Sequence, residues 1–178
     1  MRAFPMVEVE LLLLRHGIAE PRGSGLEDGA RALTDEGRRR TRLICRRAGA
    51  LGLTAPVLVS SPLLRASQTA ELAVEAGLAP SFSCHDGLSP GADPLPLLQQ
   101  LGSQAQVDSS RRWILVGHEP DLGDLACRLL GAPPGGVALK KAGLAMLRWH
   151  QILSPSAPIP SDSAQLVLLL TPRILMAP

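Results

Sequence analysis

Val7-Glu8-Val9-Glu10-Leu11-Leu12-Leu13-Leu14-Arg15-His16-Gly17 is an apolar run that stops at two basic residues and a glycine. A short run of this kind reads as a buried strand, residues 7–14, opening into a loop. Two later segments have the same form. Residues 56–60 are apolar and end in Ser60-Ser61-Pro62, with Arg65 within one helical turn. Residues 112–116 are apolar and end in Gly117-His118-Glu119-Pro120.

Working outward, helical patterns separate these strands. Residues 18–32, with Pro21, Gly23, Gly25 and Gly29, read as a loop. Thr34 then caps a helix that carries Asp35 and Glu36 in its first turn, runs to about Leu51 and is stopped by Gly52. A second helix begins at Ser61-Pro62 and ends near Gly77. Residues 81–84 suggest a short edge strand, 94–101 a short helix, and 121–130 a helix ended by Gly131. Two late strands, 143–149 and 165–170, flank a Pro- and Ser-rich surface loop at 154–163. Strands and helices alternate through most of the chain. That order predicts a three-layer α/β/α sandwich around a mostly parallel central sheet.

The chain has 178 residues, which suits a single domain over 1–178. It has two Phe, two Trp and no Tyr, so the core must rely on Leu, Val, Ile and Ala. Trp113 and Trp149 fall in strands and are expected in that core. The net charge of +2 is too weak to indicate a nucleic-acid binder. Cys45, Cys84 and Cys127 are scattered and odd in number, which fits neither a disulfide framework nor a zinc ribbon. They read as reduced thiols of a cytoplasmic protein. The apolar runs at 11–14 and 166–170 are far shorter than the roughly 20 residues a spanning helix needs. Glu8 and Glu10 stand where a signal peptide would be apolar. No long heptad pattern forces association, so a monomer is expected.

In open α/β sheets, ligands gather at the carboxyl ends of the strands. If the first three strands are parallel neighbours, Arg15, His16, Arg65 and His118 converge on one crevice, with the N-terminus of the second helix beside them. Guanidinium groups match phosphate oxygens in pairs and offset a dianion. Their charge also keeps an imidazole neutral, and a neutral imidazole is a nucleophile. A second imidazole can hydrogen-bond an equatorial oxygen as charge moves in the transition state. Such a set needs neither metal nor cofactor. Two His could also be metal ligands, but a site needs three or four, and neither His85 nor His150 has a pattern that supplies them.

Leu14-Arg15-His16-Gly17 resembles the signature of the histidine phosphatase superfamily, the phosphoglycerate mutase-like fold. Arg31-Ala32-Leu33-Thr34-Asp35-Glu36-Gly37 is similar to the family's entry into its first helix. Ser60-Ser61-Pro62-Leu63-Leu64-Arg65-Ala66-Ser67-Gln68-Thr69-Ala70 and Val116-Gly117-His118-Glu119-Pro120 resemble its next two blocks. The resemblance spans about residues 9 to 150. It implies that His16 is the nucleophile, that Arg15 and Arg65 bind phosphate, and that His118 is the second histidine of the pocket. Arg31 lies where the small branch of the family often has a further arginine. Residues 77–113 leave little room for the inserted lid of the longer members. The compact form resembles the phosphohistidine phosphatase branch, whose substrate is a histidine-phosphorylated protein.

Without a lid, the general acid is open. Asp28 is the first candidate and Glu119 the second. Many relatives carry an acid directly after Arg-His-Gly, and this chain has Ile18 there. Three other readings compete with the phosphohistidine one: a phosphatase of small phosphate esters, a non-catalytic phosphate-binding module and a metal-dependent hydrolase. Arg38, Arg39, Arg40, Arg42, Arg46 and Arg47 crowd the first helix, as a solvated face or as a dock for an acidic partner.

Overall fold

The computed structural model describes residues 6–23, 25, 27–108, 111–152, 159 and 162–177. Strand β1, Met6–Arg15, lies inside a six-stranded sheet. It pairs in parallel with β4, Arg112–Gly117, which pairs in parallel with β2, Val57–Ser60, which in turn pairs with the short β3, Ser83–Cys84. On its other side β1 pairs antiparallel with β5, Leu144–Ile152, and β5 with the edge strand β6, Gln165–Leu170. The order is therefore β3-β2-β4-β1-β5-β6, mostly parallel.

The run Leu11–Leu14 is apolar on both sides because both faces are covered. Leu11 and Leu13 join Trp113, Leu115, Leu147 and Trp149 on one face. There they meet α3, Leu95–Asp108, through Leu98 and Leu101, and α4, Asp121–Leu130, through Leu122 and Leu125. Leu12 and Leu14 point the other way, toward Ile44 and Ala48 of α1, Asp35–Ala50, and Ala66 and Ala70 of α2, Leu64–Glu75. A period of two with helices on both faces gives the three-layer sandwich. Each of these four leucines is wholly buried, which stabilises the fold by about 1.5–3 kcal/mol per side chain.

Register is also held by charge. The buried Glu10 lies opposite Arg112 on one neighbour and Arg148 on the other, and pairs with both. Slipping either strand by one residue would break these pairs and exchange the side chains packed in the two layers.

Several boundaries differ from the sequence expectation. Helix α2 begins at Leu64 and not at Ser61-Pro62, because the Ser61 N–H still extends the sheet by donating to Val116 O at 2.9 Å. Helix α3 runs to Asp108, seven residues past the expected end. Gly102 lies inside it as a close-packing residue: a Cβ there would come within 2.9 Å of Gln151 Nε2. Strand β5 extends to Ile152. The short helix α5, Pro172–Met176, was not expected; Leu175 buries against the α1 layer, and Arg47 donates to Leu175 O and Ala177 O. Most of the expected loop at 154–163 lies outside the described residues. Between α2 and β4 the described residues form only β3, a 3-10 turn at Asp86–Leu88 and α3, and among them no large insert stands over the sheet.

Candidate active site

The carboxyl ends of β1 and β4 and the first turn of α2 open into one hollow of about 430 Å³. Arg15, His16, Arg31, Arg65, His118 and Glu119 all line it. The rings of His16 and His118 have centroids 5.1 Å apart. His16 is 7 % exposed, His118 3 % and Arg65 2 %, so these polar groups sit in a largely dry place.

His16 is held by its own loop. Its N–H continues the sheet to Gly117 O at 3.0 Å, and its Nδ1 lies 2.7 Å from Gly17 O. A carbonyl oxygen only accepts, so Nδ1 carries the proton and Nε2 keeps its lone pair. Burial pushes the His16 pKa down to about 3, and the charges of His118, Arg65 and Arg15 act in the same direction against the Gly17 carbonyl. The ring is therefore neutral at physiological pH. The loop behind it is tightly packed. Gly17 N–H donates to Thr69 Oγ1 at 3.1 Å, and Thr69 Oγ1 donates to Arg65 O at 2.7 Å. Thr34 caps α1 by accepting from Gly37 N at 3.0 Å, while a Cβ at Gly37 would lie 2.0 Å from Ile18 O.

His118 is oriented from the other side. Its Nε2 lies 2.8 Å from the wholly buried Ser61 Oγ, and its Nδ1 is buried with no hydrogen-bond partner among the described residues. If the Ser61 hydroxyl donates to Nε2, Nδ1 becomes the N–H donor. Burial and then Arg65 lower the His118 pKa to about 4.

The arginines are held by backbone and by Asp28. Arg15 Nη1 donates to Leu139 O at 2.7 Å, and Leu139 N–H donates to Glu119 Oε1 at 3.1 Å. Arg65 donates to Asp28 O at 2.7 Å and Asp28 Oδ2 at 2.9 Å. Arg31 donates to Asp28 Oδ1 at 3.0 and 2.7 Å and to Glu20 O at 2.7 Å. Burial alone would raise the Asp28 carboxyl; hydrogen bonds from Arg31 and Arg65 outweigh it and hold the pKa below the usual carboxylate range. Asp28 thus has no proton to give at neutral pH. Glu119 is shifted the other way: burial raises it, against the Leu139 N–H and the Arg15 charge.

Of the residues expected from sequence, His16, His118, Arg15, Arg65, Arg31 and Glu119 face one hollow, and Asp28 braces two of its arginines. Ser61 and Thr69 were present in the quoted motifs without an assigned part. Lys141, which also lines the hollow, had no sequence signal. Its place comes from Ala142 N–H, shared between Arg15 O and His16 O at 3.1 Å each. The basic face of α1 is less free than its composition suggests: Arg39 pairs with Glu36, Arg42 with Glu75, and Arg47 binds the carbonyls of the C-terminal helix. Among the described residues no group of three or more His, Cys, Asp or Glu is arranged to hold a metal ion, and no helix is long and apolar enough to cross a membrane. The three cysteines are free; burial pushes Cys45 up to about 12.

Cationic groups gathered at the ends of parallel strands, with no large insert among the described residues, define a small α/β protein with an anion-binding hollow. Residues 11–88 match the model of the histidine phosphatase superfamily (branch 1). An uncharacterised protein of Picosynechococcus is 40 % identical over 141 residues, covering 79 % of this chain and 85 % of that one. The chain belongs to the histidine phosphatase superfamily. Its fold is shared with the protein histidine phosphatase SixA complexed with tungstate, at TM-score 0.71 and 22 % identity, covering 92 % of this chain and 97 % of that one. It is shared also with a mycobacterial glucosyl-3-phosphoglycerate phosphatase, at TM-score 0.65 and 18 % identity, covering 93 % and 100 %.

Proposed function

We propose that this chain is a phosphatase that carries the phosphoryl group on His16 Nε2, and that its substrate is phosphohistidine on a partner protein. The observation that carries the reading is the Nδ1 contact of His16 to Gly17 O, which leaves Nε2 unprotonated inside a ring of guanidinium groups.

Arg15, Arg65 and Arg31 bind the non-bridging oxygens and neutralise their charge. His16 Nε2 attacks phosphorus, an N–P bond forms, and the bond from phosphorus to the leaving nitrogen breaks. Nδ1–H of His118 donates to an equatorial oxygen as charge shifts. Water then attacks phosphorus, the His16 N–P bond breaks and inorganic phosphate leaves. An imidazole leaves with less help than an alkoxide, which suits a site without a lid-borne acid. Where a proton is needed, Glu119 is the donor of choice, because its shift favours the protonated form and that of Asp28 does not. The absence of a large insert supports a protein substrate, since a folded partner can reach the hollow directly.

The test is a substrate panel: a histidine-phosphorylated phosphotransfer domain, free phosphohistidine and a set of sugar and amino-acid phosphates. The reading expects kcat/KM on phosphohistidine to exceed that on every alkyl phosphate by at least about tenfold. A preference for an alkyl phosphate would assign the same hollow to small esters. Stoichiometric phosphate binding with no turnover would make it a binding module.

A further inference from the structure

A second cavity, of about 500 Å³, adjoins the catalytic hollow and shares Lys141 with it. Its wall includes Ile18, Arg40, Lys140, Lys141, Pro172 and Arg173, and no carboxylate. Lys140, Lys141 and Arg173 are exposed, and among the described residues none has a hydrogen-bond or ion-pair partner for its side chain. Arg40 reaches Glu36 only at 4.0 Å. These cations are therefore largely uncompensated, in contrast to Arg39, Arg42 and Arg47 of the same α1 region.

The groove is fixed relative to His16. Besides Ala142 N–H on Arg15 O and His16 O, Arg15 N–H donates to Gly143 O at 3.1 Å. The Lys140-Lys141 turn is thus tied to the end of β1, and Ile18, two residues past His16, forms the facing wall. The groove meets the catalytic hollow at Lys141.

Apolar Ile18 and Pro172 lie among the cations of the groove. That mixture suits polypeptide side chains, with carboxylate heads on the cations and carbon stems on the apolar wall. We propose that it docks acidic side chains that flank the phosphohistidine of a protein substrate. This rests on the phosphohistidine reading above. Exposed cations beside a pocket act mainly by steering encounter and setting register, so the contribution falls with salt.

The experiment compares wild type with Lys140→Gln/Arg173→Gln and Lys140→Glu/Arg173→Glu, which spare the catalytic hollow. Each is assayed on a histidine-phosphorylated phosphotransfer domain with acidic residues beside the phosphohistidine, and on free phosphohistidine. On the domain, kcat/KM is expected to fall about fivefold with Gln and more than about tenfold with Glu, with a shallower dependence on salt. On free phosphohistidine it should stay within about twofold, which also reports an intact fold. Hexaglutamate should inhibit turnover of the domain by wild type and much less by either variant. Unchanged kcat/KM on the domain, or equal loss on both substrates, overturns the proposal. A wild-type protein that turns over neither phosphohistidine substrate refutes the underlying function instead.

Discussion

Acidification should destabilise this protein above the range in which Glu10 and Asp28 titrate. His16 has a pKa of about 3 and His118 of about 4 in the folded chain, against 6.5 for a free imidazole. Burial is the main cause in both. Between those values the unfolded chain binds protons that the folded chain does not, so stability is full above about pH 6.5 and is lost as pH falls toward the folded values. At about pH 5 an unfolded imidazole is almost fully protonated and the two buried rings almost wholly neutral. Each then contributes a loss of about 2 kcal/mol relative to pH 8, or about 4 kcal/mol together. That is a large part of the 5–15 kcal/mol typical of a domain. Urea unfolding at about pH 8, 6.5 and 5 measures it. His16→Asn and His118→Asn should each remove about half of the slope between pH 6.5 and 5. Glu119, raised by burial, gains stability on acidification and offsets part of this loss, whereas Glu10 and Asp28 do not enter the window. Burial raises both, arginine partners outweigh it, and their contribution is lost only at lower pH. Stability that stays level from pH 8 to 5, or an unchanged slope in the double variant, would refute the claim that both rings are buried neutral.

Ser61→Ala removes the hydroxyl on His118 Nε2 and should lower kcat about tenfold with a smaller change in KM, the signature of a misdirected ring. Steady-state kinetics that match wild type would show that Ser61 does not orient His118. Gly37→Ala forces a Cβ to within 2.0 Å of Ile18 O, a backbone atom in the His16 loop, and should cost more than about 2 kcal/mol in urea unfolding. A change below about 0.5 kcal/mol would mean that α1 and the loop can move apart freely.

Much of the fold was legible because single residues carried strong local signals. Leu11–Leu14 reads as a buried strand, Thr34 is the helix cap, and Gly131 adopts a left-handed φ of 66° at the end of α4. What was missed depends on distant partners. The helix expected at 94–101 runs on to Asp108, and Gly102 sits inside it where Gln151 of another element approaches. Ser61-Pro62 looked like a helix start, yet Ser61 N–H belongs to the sheet through Val116 O. The short α5 holds because Leu175 and Arg47 meet across about 130 residues of chain. The site followed the same division. Its imidazoles and guanidiniums stand at strand ends that a sequence displays. The Ser61 hydroxyl, the Asp28 brace and Lys141 are set by tertiary contacts alone.

The central claim is that Nε2 of His16 accepts the phosphoryl group. Rapid mixing of the enzyme with a ³²P-phosphohistidine protein, quenched in alkali and mapped by peptide, tests it directly. The account predicts up to one phosphoryl group per chain, labile in acid, stable in alkali, on the peptide that contains His16 and absent from His16→Ala. Label on another residue, or full turnover by His16→Ala, would contradict it.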